Sequence, residues 1–191
     1  MSTKYFEQLL KDYSYFNKTR REIIGLSADA LHKSKIAIFT MHRGQFNEAK
    51  ILLLEIETIF KNLEKNFKQS PGLRYEGSYR AALEEYAEAK IFCELAIKGQ
   101  ASAIKEIKID FDTYLAGLCD ATGEMVRLAT KEATNGNLEE VTKIKDLVTE
   151  VIGELVVFNL TSYLRTKYDQ AKTNLRRLEQ MVYEIKLREI K

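Results

Sequence analysis

A chain of 191 residues, 45% hydrophobic and 30% charged, has the material for one buried core and is read as a single domain over residues 1–191. A net charge of +2 gives no global basic field, so a nucleic-acid partner would need a local patch. One proline and nine glycines leave too few turn formers for a sandwich or barrel, and the expected class is all-α.

From Tyr5 to Met41 apolar residues recur at helical spacing without a proline: Phe6, Leu9, Leu10, Tyr13, Phe16, Ile23, Ile24, Leu31, Ile36, Ile38 and Phe39. Gly25 is a candidate kink. A helix of roughly 50 Å outreaches a small domain and points to a partner subunit. Its basic residues Lys18, Arg20, Arg21, Lys33, Lys35, His42 and Arg43 read either as a solvated face or as a contact strip for a polyanion. Gly44 ends it. The next helix, Asn47 to Lys68, has more apolar positions than one face needs, a pattern expected of burial on several sides. Ser70-Pro71-Gly72 marks a loop. A third helix runs from Tyr75 to Lys98 with Gly99 as its C-cap, and Ser102 to Lys108 is a candidate short helix. Asp110, Asp112 or Thr113 caps a helix reaching Thr134, which ends in Asn135-Gly136-Asn137. Leu138 to Val151 follows, with an interruption expected near Gly153. The last helix, Leu160 to Lys186, carries Leu175, Leu178, Met181, Val182 and Ile185 near heptad spacing, a second candidate face for a partner.

The longest apolar runs, such as Ile51 to Leu54, fall far short of the roughly 20 residues that span a bilayer, and Met1 to Tyr5 lacks the apolar stretch of a signal peptide. Cys93 and Cys119 lie in apolar helical stretches without metal-site spacing, as reduced buried thiols do. These features predict a soluble cytoplasmic protein with no membrane partner.

The chemistry on offer is carboxylate chemistry. Glu85 and Glu88 stand three apart in the third helix, on one direction bordering its apolar stripe; Asp120 and Glu124 stand one turn apart in the fourth, among apolar neighbours. Like charges held together at a core edge resist desolvation and call for a positive partner. Facing helices would let the four carboxylates hold a divalent cation, and an all-oxygen donor set suits Mg²⁺ or Mn²⁺ rather than Zn²⁺. Gly117 and Gly123 remove side chains from two turns of the fourth helix and permit close approach of a neighbour or ligand. No Glu-x-x-His occurs in either stretch, which disfavours a ferritin-like di-iron bundle. No nucleophile elbow, phosphate loop or dinucleotide fingerprint is present, and the histidines, His32 and His42, are too far apart for a local ligand pair.

Leu83-Glu-Glu-Tyr-Ala-Glu-Ala, the run Tyr114 to Arg127, Asn135-Gly136-Asn137 and the run Leu175 to Arg188 resemble, collinearly, the translin family and its catalytic Trax-like branch; so do Lys33-Ser34-Lys35 and Phe39-Thr-Met-His42-Arg43 near the front. That resemblance implies a seven-helix fold, closed octameric shells and Mg²⁺-dependent endoribonuclease activity on single-stranded RNA. It places the catalytic, metal-holding acids on Glu85, Glu88, Asp120 and Glu124; plain translin subunits lack them. The family's basic RNA-binding segment before the acidic helix is here Arg74 to Arg80, with Arg74 and Arg80 as its remaining basic residues. Expected RNA contacts are therefore Arg20, Arg21, Lys33, Lys35, His42 and Arg43 of the first helix together with Arg74 and Arg80. Two rivals stand beside this reading. One is an all-α nucleotide pyrophosphohydrolase, whose usual second motif is Glu-x-x-Asp where this chain has Asp-x-x-x-Glu; the other is a nucleic-acid-binding oligomer without catalysis.

Overall fold

The computed structural model describes residues 3–189; the outermost two residues at each end of the expected 1–191 span lie outside the described residues. Six α-helices follow one another: α1 (Thr3–His42), α2 (Phe46–Phe67), α3 (Gly77–Lys98), α4 (Phe111–Thr134), α5 (Leu138–Val156) and α6 (Ser162–Glu189). A 3₁₀ turn, Pro71–Tyr75, joins α2 to α3, and no strand occurs among the described residues. The all-α class is borne out, whereas the count of seven helices is corrected to six. Ser102 to Lys108, the candidate short helix, is irregular for a local reason. The Ser102 amide and hydroxyl both donate to the Glu94 carboxylate, and its carbonyl accepts from the Tyr114 hydroxyl at 3.1 Å. The Lys105 amide donates to the Glu106 side chain at 3.0 Å. Side chains thus take the backbone groups that a helix would have paired.

The helices form a chain of neighbours. α3 lies between α1 and α4, α2 covers the other side of α1, and α4 in turn meets α5 and α6. Flanked on two sides, α3 carries the densest burial, with Tyr86, Ile91, Phe92 and Leu95 at its centre. It stops at Gly99, whose φ of +66° supplies the left-handed residue that closes a helix end at no steric cost. Asp110 caps α4 by accepting from the Thr113 amide at 2.8 Å. α5 runs through Gly153 without interruption, because a helical glycine costs only about 1 kcal/mol when Val148, Val151 and Leu155 are anchored around it.

Three expectations about apolar stripes change. The buried stripe of α1 begins only at Thr19 and continues through Ile23, Ser27, Ala30, Ser34, Ala37 and Met41, mostly small residues that admit close helix approach; Ile36 and Phe39 face outward. α1 is continuous across Gly25. Its first four turns, with Tyr5, Phe6, Leu9, Leu10, Tyr13 and Phe16 exposed, project beyond the core. α6, in contrast, spends its heptad stripe on its own chain: Leu178 and Val182 are buried, and Leu175, Met181 and Ile185 pack against the same core. That face is therefore not a free one. On α2 only one face is covered, and Ile51 and Leu54 remain exposed.

The α3–α4 seam is set by Gly117. A Cβ there would stand 2.7 Å from Ala87 Cβ and 2.9 Å from the Glu88 amide nitrogen, so no side chain fits without the helices parting. At Gly123 the nearest atom would be Asn174 Nδ2 at 3.4 Å, an ordinary contact. Gly117→Ala should therefore cost about 1–3 kcal/mol. Gly123→Ala should be neutral or stabilising by up to about 1 kcal/mol from helix propensity. Thermal melting of the two variants checks the contrast; equal behaviour would remove the seam argument.

Candidate functional site

The close approach at Gly117 brings the acidic halves of α3 and α4 together. Glu85 and Glu88 lie on α3, Asp120 and Glu124 on α4, all partly buried. Their electrostatics bind them into one unit. Burial raises the Glu88 carboxyl to about 8, and repulsion from Asp120, Glu85 and Glu124 adds to it. Burial also raises Glu85; Lys35 opposes this, while Asp120 and Glu124 reinforce it. Asp120 is raised by burial in spite of an ion pair with Lys167.

Two side chains from outside the pair, the Lys167 ammonium and the His42 imidazole, hold this cluster. Lys167 of α6 bonds Asp120 Oδ2 and reaches Glu84 at 2.8 Å, and the Tyr163 hydroxyl donates to Glu84 and also meets the ammonium. Burial alone would lower Lys167, but these bonds outweigh it and raise its pKa. His42, in the last turn of α1, sets Nε2 against Glu124 Oε2 and stacks on Phe92 with ring centroids 4.9 Å apart. Lys131 donates to the His42 carbonyl at 2.7 Å and fixes the helix end. Glu124 also has Arg127 at 3.6 Å. Asp120 and Glu124 are each held through one oxygen, leaving Oδ1 and Oε1 without a protein donor among the described residues. As the side chains stand, no three His, Cys, Asp or Glu residues among those described are grouped closely enough to hold an ion. Asp120 is turned to Lys167 and Glu124 to His42, which accounts for the spread. Oxygen donors, four carboxyl groups at one seam and a buried carboxyl that keeps its proton near neutrality all fit a hard divalent cation.

Sequence reasoning missed Lys167, Tyr163 and Glu84 altogether, since nothing in their spacing links α6 to α3. His42 was assigned to an RNA-contacting strip; it is buried and belongs to the acidic seam. Of the other basic residues in that set, Lys35 lies in the field of Glu85, and Arg21 and Arg43 are exposed. Arg20 pairs with Glu76 at 2.7 Å and Lys33 with Glu55 at 2.8 Å. Arg74 grips Glu64 through two bonds of 2.6 Å and lies over the Phe67 ring, an intramolecular clamp rather than a free cation. Arg80 stands 3.6 Å from Asp110. Cys119 adjoins the seam, but burial, with Asp120 next, pushes its thiol up to about 12, out of the range of a nucleophile.

The Glu88 carboxyl titrates near 4.5 in an unfolded chain and near 8 in the fold, so the folded state holds the extra proton between those values. Stability in EDTA should therefore fall as pH rises from about 5 to 9, by on the order of 2–4 kcal/mol. Glu88→Gln should melt higher than wild type at pH 9 and lose that advantage at pH 5. Melting curves at the two pH values decide it; an advantage equal at both would place the cause outside this carboxyl.

With this geometry in hand, comparison with known proteins is informative. The translin family profile matches residues 7–189. Translin of Gallus gallus is 23% identical over 95% of this chain and 85% of its own length. The translin-associated protein X homolog of Schizosaccharomyces pombe is 27% identical over 65% of this chain and 60% of its own. Among solved structures, apo-NeC3PO superposes with a TM-score of 0.87 at 23% identity, covering 96% of this chain and 97% of that one. The AfC3PO–duplex RNA complex also gives 0.87, at 20% identity, with 97% and 98% covered. The fold is theirs, no helix among the described residues is long and apolar enough to cross a membrane, and the chain belongs to the translin family.

Proposed function

We propose that this protein is a divalent-cation-dependent endoribonuclease that cleaves single-stranded RNA inside a closed assembly of its own copies. The observation that carries the reading is the union of two acidic pairs, Glu85 with Glu88 and Asp120 with Glu124, in one electrostatic unit at the α3–α4 seam. These four residues would hold Mg²⁺, with Mn²⁺ as the alternative ion, and the bound ion would supply positive charge for the phosphate and acidify a water. The chain's own groups do the rest. Glu85, about half buried and raised above the ordinary carboxyl range, is the group that takes a proton from the attacking water. Lys167 and His42 keep Asp120 and Glu124 aimed, and the Lys167 ammonium offsets part of the charge on Asp120. The exposed cations of α1, Arg21, Lys35 and Arg43, contribute sequence-indifferent attraction for a phosphate backbone. Family membership, and the RNA duplex in the AfC3PO structure, support an RNA substrate class for this chain. Self-assembly, an octamer by the family resemblance, is supported by the exposed aromatic face on the projecting turns of α1.

Asp120→Asn should abolish cleavage of labelled single-stranded RNA in Mg²⁺ while leaving RNA binding equal or tighter, because one repulsive charge is gone. Wild-type cleavage by that variant would remove Asp120 from the chemistry, and hydrolysis of nucleoside triphosphates in place of RNA would favour the pyrophosphohydrolase rival. Light scattering at micromolar concentration should return a multiple of 22.1 kDa. Tyr13→Glu with Phe16→Glu should shift that mass downward, whereas a wild-type mass of one chain would defeat the assembly.

A further inference from the structure

Between α4 and α6 a cleft of about 660 Å³ opens directly onto Glu88 and Asp120. Its α6 wall presents Gln170, Thr173, Asn174 and Arg177, spaced three and four apart and so aligned along one helical face. This face is neutral amide and hydroxyl beside a single guanidinium, on a helix whose other exposed positions are densely charged. Asp169 is the one acid on the wall, and Arg165 at 3.1 Å and Lys172 at 2.7 Å already hold it. Arg177 is exposed and enters none of the arginine salt bridges found among the described residues.

The orientation of Asn174 follows from hydrogen counting. The buried Thr122 hydroxyl gives its one proton to the Cys119 carbonyl at 2.6 Å, so its oxygen must accept from Asn174 Nδ2, 3.0 Å away. The amide nitrogen is thereby turned to α4, and Oδ1 is left as an acceptor for a ligand hydroxyl. A Cβ at Gly123 would stand 3.4 Å from that Nδ2, so α4 meets Asn174 on its nitrogen side.

We propose that the α6 wall is a ribose-phosphate subsite adjoining the acidic seam. Arg177 holds the phosphodiester of a nucleotide that flanks the reacting one, through the planar fork that suits two phosphate oxygens. Asn174 and Gln170 read the ribose 2′-hydroxyl, which acts as both donor and acceptor and is absent from DNA. The cleft therefore selects single-stranded RNA over single-stranded DNA. Its position next to the cleaved bond rests on the nuclease reading; the capture of the strand does not.

Fluorescence anisotropy with a labelled single-stranded 12-mer, as RNA and as DNA of the same sequence, tests this in EDTA, where binding is read without cleavage. Arg177→Ala should weaken RNA binding about tenfold and reduce the slope of log affinity against log salt by about 0.7, one phosphate contact on a single strand. Arg176→Ala removes the same charge from an exposed neighbour outside the cleft and should change affinity less than about threefold. Asn174→Ala should lower the RNA-to-DNA preference about fivefold, chiefly by loss of RNA affinity. Equal effects of the two arginine variants, an unchanged RNA-to-DNA ratio in Asn174→Ala, or a wild-type protein that binds neither strand would each overturn the subsite. A wild type that binds RNA with these dependences yet never cleaves it in Mg²⁺ would remove the nuclease reading and leave the subsite standing.

Discussion

Two helices that approach closely enough to exclude even a methyl group hold this structure's chemistry. Because Gly117 presses α4 onto the backbone of α3 at Glu88, carboxylates that would otherwise point into water are held at one seam and partly desolvated. Left alone, such a cluster would push the helices apart, and the fold answers with hydrogen-bonding partners from outside the pair, one of them an ammonium. Lys167 arrives from α6 and His42 from α1, so the two acidic helices are braced from both flanks. The arrangement explains why α3 and α4 sit at the centre of the neighbour chain rather than at its edge: both braces need a helix on the far side.

The same geometry divides the carboxylates into kinds. Glu84 is consumed by Lys167 and Tyr163 and acts as structural counter-charge. Asp120 and Glu124 are half consumed, each with one oxygen engaged. Glu85 and Glu88 have no cation bound to them among the described residues and carry the burial cost as raised pKa values. Carboxyls whose ionisation burial makes costly, Glu88 above all, can hold and pass a proton near neutrality, a property a hydrolytic centre uses. Glu57 shows the contrasting outcome elsewhere on α2. It is buried as well, but Tyr86 at 2.9 Å and Lys90 at 3.0 Å both donate to its Oε1, so this carboxylate has a hydrogen-bonded cation of its own, which Glu85 and Glu88 lack among the described residues.

Much of this was legible in the sequence because it is local. Helix class, most helix limits, the αL residue at Gly99 and the Asp110 cap depend on residues within one or two turns, and spacing reports them. The acidic quartet was legible for the same reason, each pair being one turn long, and Gly117 was recognisable as a point of close approach. What spacing cannot report is which distant residue arrives to neutralise a charge. Lys167 is one of three lysines on a polar helix, and only the α4–α6 packing singles it out. His42 was misplaced because a histidine at the end of a basic helix looks like surface, whereas the buried residues Ser34, Ala37 and Met41 turn that end of the helix inward. Small residues also hid the buried stripe of α1, since hydrophobic periodicity weighs Ile36 and Phe39 above Ala30 and Ser34. The non-helical run 101–110 escaped because side chains, not helix breakers, claim its backbone.

α1 has a mechanical consequence. It is one uninterrupted rod of 40 residues, roughly 60 Å long, gripped by the core from Thr19 onward while its first four turns project. Its gripped end terminates in His42, against Glu124. A tilt of one degree about that pivot swings the far end by about 1 Å. Conversely, a surface that clamps the far end to ångström tolerance fixes the angle at His42 to about a degree. The lever therefore runs in one useful direction: a contact made far out on the arm is felt as stiffness at the acid, with no moving part between them.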